Sequence, residues 1–189
     1  IKNVKIWSRG VDTDLFKPDP TFVRRGDAIR AVYVGRVSAE KNLTEYLEIT
    51  CNNVIKYVIG DGPQLEEYKA RYKDAIFLGR KTHQEIATLL QTFDVFAWPS
   101  MTDTYGLVVL EAMAAGCPVA TSDLEPLKGI AGDAAILFNP HNQTDISRAI
   151  LEAMAYRDDL RAAGLKRVQD YSWARTAKMH VVVYEEMAK

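Results

Sequence analysis

Short apolar runs, each followed by a segment of helical period, recur along this chain and restrict its fold more than any other feature. Ala28–Gly35, Lys56–Gly60, Ala75–Leu78, Asp94–Pro99, Pro118–Thr121 and Ala134–Phe138 have the length and composition of buried strands. Between them, Asn42–Thr50 carries Leu43, Tyr46, Leu47 and Ile49 on one helical side. Pro63 reads as a first helical position, with Leu65, Tyr68 and Tyr72 following at helical spacing. Thr82-His83-Gln84-Glu85 is a capping-box pattern ahead of Ile86, Leu89, Leu90 and Phe93. Toward the end Ile146, Ala149, Ile150, Ala153 and Met154 recur at helical steps, and Trp173, Ala177, Val181 and Tyr184 do so again. Alternation of this kind requires crossovers, hence a mostly parallel sheet covered on both faces: a Rossmann-like, doubly wound α/β fold. No repeat, linker or low-complexity tract interrupts residues 1–189, so one domain is expected.

Ligands of such sheets bind outside the carboxyl ends of the strands. The loops at those ends are polar and glycine-bearing. Gly35-Arg36-Val37-Ser38-Ala39-Glu40-Lys41 offers Arg36 and Lys41 to a diphosphate. Gly60-Asp61-Gly62-Pro63 has two glycines that allow close backbone approach, and Leu78-Gly79-Arg80-Lys81 adds more positive charge. Singly, each reads equally as a turn or a solvated surface charge. Their recurrence at successive strand ends favours a ligand.

The richest stretch is Ser100–Gly116, which sets Asp103 and Glu111 on either side of a strand-to-helix junction. Leu107 to Ala114 lacks a breaker before Gly116 and Pro118, so a helix of about three turns is expected. Its first N–H groups and its dipole suit a phosphate. An aspartate placed before a helix is equally a cap, and both readings of Asp103 stay open here. Glu111 lies among Leu110 and Met113, which look buried, and a carboxylate there points to function more than to a solvated face.

The 189 residues are 48% hydrophobic and 26% charged, with a net charge of −1, which disfavours nucleic acid or a membrane surface as partner. No run is long enough to span a bilayer and no signal peptide is evident. Cys51 and Cys117 fit reduced core thiols, so a cytoplasmic setting is expected. The first residue is Ile1, and the lack of an initiator Met suggests a piece of a longer protein. Trp98, Trp173 and the tyrosines read as core; His83, His141 and His180 read as surface or cap residues.

Together these segments resemble the C-terminal, donor-binding half of a GT-B-fold retaining glycosyltransferase of family 4, the glycosyl transferases group 1. The resemblance rests on Ser8–Pro18 as an entry segment, Val34-Gly35-Arg36 with Lys41, Gly60–Pro63 and Phe77-Leu78-Gly79. It continues through Asp94-Val95-Phe96, Pro99-Ser100, the Gly106–Gly116 helix and Tyr171-Ser172-Trp173. It implies that Arg36 and Lys41 bind the diphosphate of a nucleotide-sugar donor, and that Gly106, Leu107 and Val108 turn N–H groups toward it. Glu111 would hold the ribose hydroxyls, and Asp103 the transferred sugar. Gly79, Arg80 and Lys81 would lie beside the base, and Gly10 and Gly60 would complete the donor site. No metal is expected, and no cofactor beyond the donor itself. The acceptor would belong to an N-terminal domain not in this sequence, through which the full protein could touch a membrane. Without that domain the chain would bind donor but transfer poorly or not at all.

Three positions depart from the family pattern. Asp103 stands where a glutamate is usual, Ser8-Arg9 where proline-asparagine is common, and Ser122–Pro126 replaces a glycine pair and its neighbours. The alternatives are a non-catalytic module of the same fold that binds a nucleotide sugar or a partner, and, more distantly, a nucleotide-sugar epimerase.

Overall fold

In the computed structural model, which describes residues 9–24 and 26–187, the apolar runs form strands β1 (Ile29–Val34), β2 (Val54–Ile59), β3 (Ala75–Gly79), β4 (Val95–Trp98), β5 (Val119–Ser122) and β6 (Ala135–Phe138). Every pairing is parallel, in the order β3-β2-β1-β4-β5-β6. The chain builds outward from β1 to β3, returns across the sheet, and builds outward again from β4 to β6. β4 and β5 are buried at every position; β4 is accordingly a continuous apolar run, and in β5 the buried hydroxyls of Thr121 and Ser122 both donate to Trp98 O. β3 forms an edge and leaves Ile76 exposed.

The helices are α1 (Leu43–Leu47), α2 (Leu65–Arg71), α3 (His83–Leu90), α4 (Leu107–Ala114), α5 (Leu127–Ala131), α6 (Gln143–Ala155), α7 (Arg157–Arg167) and α8 (Trp173–Met187). α1 lies beside α6 on one face of the sheet; α4 packs with α5 and α7 on the other. The fold is therefore doubly wound, as the alternation implies.

Differences from the sequence reading have local causes. α1 stops at Leu47 because Lys56, buried in β2, donates to the carbonyls of Leu47 and Ile49 and pairs with Asp74 at 2.6 Å. Pro63 sits in a turn ahead of α2, where Gln64 N–H bonds to the Val37 carbonyl. α4 has eight residues rather than three full turns. It ends in a Schellman closure, with Gly116 at φ 75°, Gly116 N–H on Met113 O and Cys117 N–H on Ala112 O. The five-residue α5 has too little periodicity to show in sequence.

Trp98 is core, stacked on Tyr33 at 5.0 Å between centroids. Trp173 is not, being 55% exposed at the start of α8, where Val181, Tyr184 and Met187 are also exposed. Cys117 is buried and Cys51 half-buried; both are free thiols.

The entry segment docks against the other end of the chain. Val11 N–H bonds to Tyr171 O at 2.7 Å, and Val11 bridges Ser172 in parallel. Tyr105 ties this corner to the central loop through a bond from Arg9 N–H to its hydroxyl (2.8 Å). Ser8, part of the same motif, lies outside the described residues.

Candidate functional site

Strand order reverses between β1 and β4, and the loops leaving those strands face one another across the reversal. The loop after β1 is held from within. Tyr33, fully buried, donates its hydroxyl proton to Arg36 O at 2.6 Å, while Gly35 lies against the Trp98 ring so closely that a Cβ would meet it at 2.7 Å. Arg36 itself is exposed. Asn42 takes the left-handed conformation (φ 54°) and donates to Pro99 O (3.2 Å) and Pro140 O (2.7 Å), tying this loop to the ends of β4 and β6.

The two glycines after β2 do allow a close approach, and the partner is the neighbouring loop. A Cβ on Gly60 (φ 146°) would lie 1.8 Å from Gly35 O, and one on Gly62 would lie 2.2 Å from Val37 O. Val37 N–H completes the contact with Asp61 O at 2.9 Å. The packed loops floor a cleft of about 520 Å³ whose walls include Arg36, Asp61, Arg80, Lys81 and Ile86. Cationic side chains and backbone polar groups line it, with β1 and β2 closing its base.

Beside this cleft α4 begins. Gly106 caps it at φ 71°, and Leu127 of α5 fills the space a side chain would need. The N–H groups of Leu107 and Val108 fall in the first turn, where a helix supplies no acceptor of its own, and the dipole adds partial positive charge. The Gly106 N–H is already taken, by Asp103 Oδ1 at 3.0 Å.

Asp103 thus holds the capping glycine, not the first turn of the helix, and it does more. Its Oδ2 accepts from Trp98 Nε1 at 2.9 Å and from Lys41 Nζ at 3.4 Å. Lys41 also reaches Thr102 O (2.9 Å) and Ser100 Oγ (3.4 Å), and its ammonium stands 5.4 Å from the centroid of the Trp98 ring. Both carboxylate oxygens of Asp103 therefore have donors from the protein itself.

Glu111, little more than one turn into α4, is the opposite case. Its side chain is 16% exposed, and no described residue donates it a hydrogen bond; the nearest cation-forming group is His83 Nε2, 3.7 Å from Oε1. Burial pushes its pKa above the ordinary glutamate value, with His83 pulling weakly the other way. His83 is the first residue of α3, held there by the Thr82–Glu85 capping box, which forms as its sequence implies. Its ring meets Phe16 edge-on at 5.9 Å.

Of the residues singled out in sequence, Arg36, Gly60 and Arg80 line the cleft. Lys41, Asp103 and Gly106 form one hydrogen-bonded cluster, and Leu107, Val108 and Glu111 share α4. Gly79 (φ 67°) bends the chain after β3 and accepts from Gly60 N–H through its carbonyl. Gly10 has a packing role: the backbone of Trp173 would lie 2.5 Å from any Cβ there. Sequence reasoning missed Asn42, Trp98 and His83. The first could be sought from the tolerance of Asn for left-handed backbone, and the second from the need of a buried indole N–H for an acceptor. The signal for His83 is its place immediately after a helix cap at the rim of the strand ends. Among the described residues no group of three or more His, Cys, Asp or Glu is placed to share a metal ion, and no helix is long and apolar enough to cross a membrane.

Comparison with known proteins agrees with this fold. The sulfoquinovosyl transferase of Arabidopsis thaliana is 30% identical over 93% of this chain and 39% of its own length, so the chain spans about two fifths of that relative. Among solved structures, the C-terminal domain of a glycosyl transferase group 1 family protein from Francisella tularensis superposes with a TM-score of 0.73 at 20% identity, covering 87% of this chain and all of that one. The Anabaena protein HepE, solved with UDP and glucose, gives a TM-score of 0.76 at 16% identity over 98% of this chain and 56% of its own. These two share the fold. The family model described as Glycosyl transferases group 1 matches residues 19–167, so this chain belongs to that family of glycosyltransferases.

Proposed function

We propose that the chain is the donor-binding half of a retaining glycosyltransferase, the C-terminal part of a longer protein that moves a sugar from a nucleoside diphosphate sugar to an acceptor hydroxyl. The observation that carries this reading is Glu111: a partly buried carboxylate with no hydrogen-bond donor among the described residues, little more than one turn inside a helix whose start is open to an anion. A partly buried carboxylate that no protein group engages is open to donors from a ligand, and the two hydroxyls of a ribose are donors of the right reach. The diphosphate then falls at the start of α4, between the N–H groups of Leu107 and Val108 and the cations Arg36 and Lys41. The base lies toward Gly79, Arg80 and Lys81, in the cleft between the loops.

The chemistry asked of this half is stabilisation of a leaving diphosphate. Negative charge grows on the phosphate oxygens as the anomeric bond breaks, and fixed backbone dipoles and guanidinium and ammonium groups meet it without reorganising. The acceptor would be supplied by the N-terminal part, so this chain alone binds donor and does not turn over. The likeness to a solved stand-alone C-terminal domain and to a structure holding UDP and glucose supports this division.

The reading is tested by titrating the chain with UDP, GDP and ADP, and then with the 2′,3′-dideoxy form of whichever binds. Wild type should prefer the ribonucleotide by about tenfold, and Glu111→Ala should bind both forms alike. Equal binding of both forms by wild type would remove Glu111 from the donor site.

A further inference from the structure

We propose that Trp98 is a positioning residue of the diphosphate site, where its indole N–H keeps Asp103 in place so that Lys41 can leave it for the ligand. This rests on the donor-site reading above.

Lys41 is occupied in this structure. Its ammonium has Thr102 O, Ser100 Oγ and Asp103 Oδ2 within 3.4 Å and lies over the face of the Trp98 ring. A diphosphate arriving at the start of α4 has to draw that ammonium away, and the carboxylate left behind would repel it. Asp103 is only 12% exposed, so water alone compensates it poorly. Two donors remain when Lys41 moves: Trp98 Nε1 on Oδ2 at 2.9 Å and Gly106 N–H on Oδ1 at 3.0 Å. Both are rigid. Gly106 is the cap of α4, and Trp98 is clamped by stacking on Tyr33 (5.0 Å) and Phe96 (6.0 Å) in the buried centre of the sheet.

Removal of the indole N–H alone leaves Lys41 as the one side-chain donor to Oδ2. The pair then tightens, and the lysine is withheld from the diphosphate. Asp103 is on this view the resting counter-ion of Lys41, and the indole makes the exchange reversible. The aspartate, shorter than a glutamate by one methylene, keeps its carboxylate back beside the indole.

The test uses Trp98→Phe, which keeps a stacking ring, together with Asp103→Asn and the double variant. Binding of UDP, GDP and ADP is measured by calorimetry, and folding by circular dichroism. Trp98→Phe should weaken nucleoside diphosphate binding about tenfold, the size of one charge-assisted hydrogen bond. Adding Asp103→Asn should restore it, because a neutral amide no longer holds the lysine. A merely structural tryptophan would give no such rescue. Unchanged binding by Trp98→Phe, or a double variant no better than Trp98→Phe, would overturn the proposal. If Trp98→Phe does not fold, Asp103→Asn alone decides: binding equal to or tighter than wild type supports it, and weaker binding overturns it. Wild type that binds no nucleoside diphosphate would instead overturn the donor-site reading itself.

Discussion

Glu111 holds its carboxylate 3.7 Å from the imidazole of His83, its one ion-pair partner among the described residues. The pair joins α4 to the first residue of α3, so two crossovers that leave the sheet at different strands meet at one acid.

That acid should make stability fall as pH rises. Burial raises the Glu111 pKa in the folded state above its unfolded value, so the folded protein binds more protons between the two. Stability is then lost as pH climbs from the ordinary glutamate range through the folded pKa, and the loss persists at neutral pH. Glu111→Gln should therefore melt higher than wild type at pH 7, and the two should converge below the unfolded pKa. Identical pH profiles would show that Glu111 is adequately solvated in the folded protein.

The two strand-end glycines with positive φ should differ sharply. Gly79→Ala meets nothing within 4 Å and should cost about 1–2 kcal/mol, the left-handed penalty alone. Gly60→Ala drives a methyl group into Gly35 O and should cost more than about 4 kcal/mol, with loss of cooperative unfolding as an extreme outcome. Urea denaturation measures both. Similar values would mean that the loops after β1 and β2 can separate freely.

Asn42 combines a backbone and a side-chain role that substitution can divide. Asn42→Gly keeps the φ of 54° and loses the bonds to Pro99 O and Pro140 O; Asn42→Ala loses both features. Alanine should be the more destabilising by about 1 kcal/mol. Because Asn42 adjoins Lys41, both should also weaken nucleoside diphosphate binding. Equal melting temperatures for the two variants would argue that the left-handed turn is not strained.

The sheet was legible in the sequence because its central strands are short and mostly apolar, β4 without interruption, and the Thr82–Glu85 cap because its chemistry is local. Lys56 shortening α1 was not, since a buried lysine seeking carbonyls of the preceding helix is a tertiary event. The same holds within the site. Arg36 and Lys41 could be proposed from their loop, but that Lys41 rests on Asp103 while Trp98 holds the same oxygen depends on a contact across the strand reversal. Gly60 and Gly62 read as glycines made for a ligand, and only the folded chain reveals the Gly35 and Val37 carbonyls pressed against them. Trp173 read as core from its helical spacing, yet α8 turns it outward.

The central claim is that the strand ends around Arg36 and the start of α4 receive a nucleoside diphosphate. Calorimetric titration of this chain with UDP, GDP and ADP, in wild type and Arg36→Ala, tests it most directly. The account predicts saturable binding of at least one of the three by wild type, weakened about tenfold or more by loss of the guanidinium. No binding of any of them at millimolar concentration, or an Arg36→Ala protein that binds as wild type does, would contradict it.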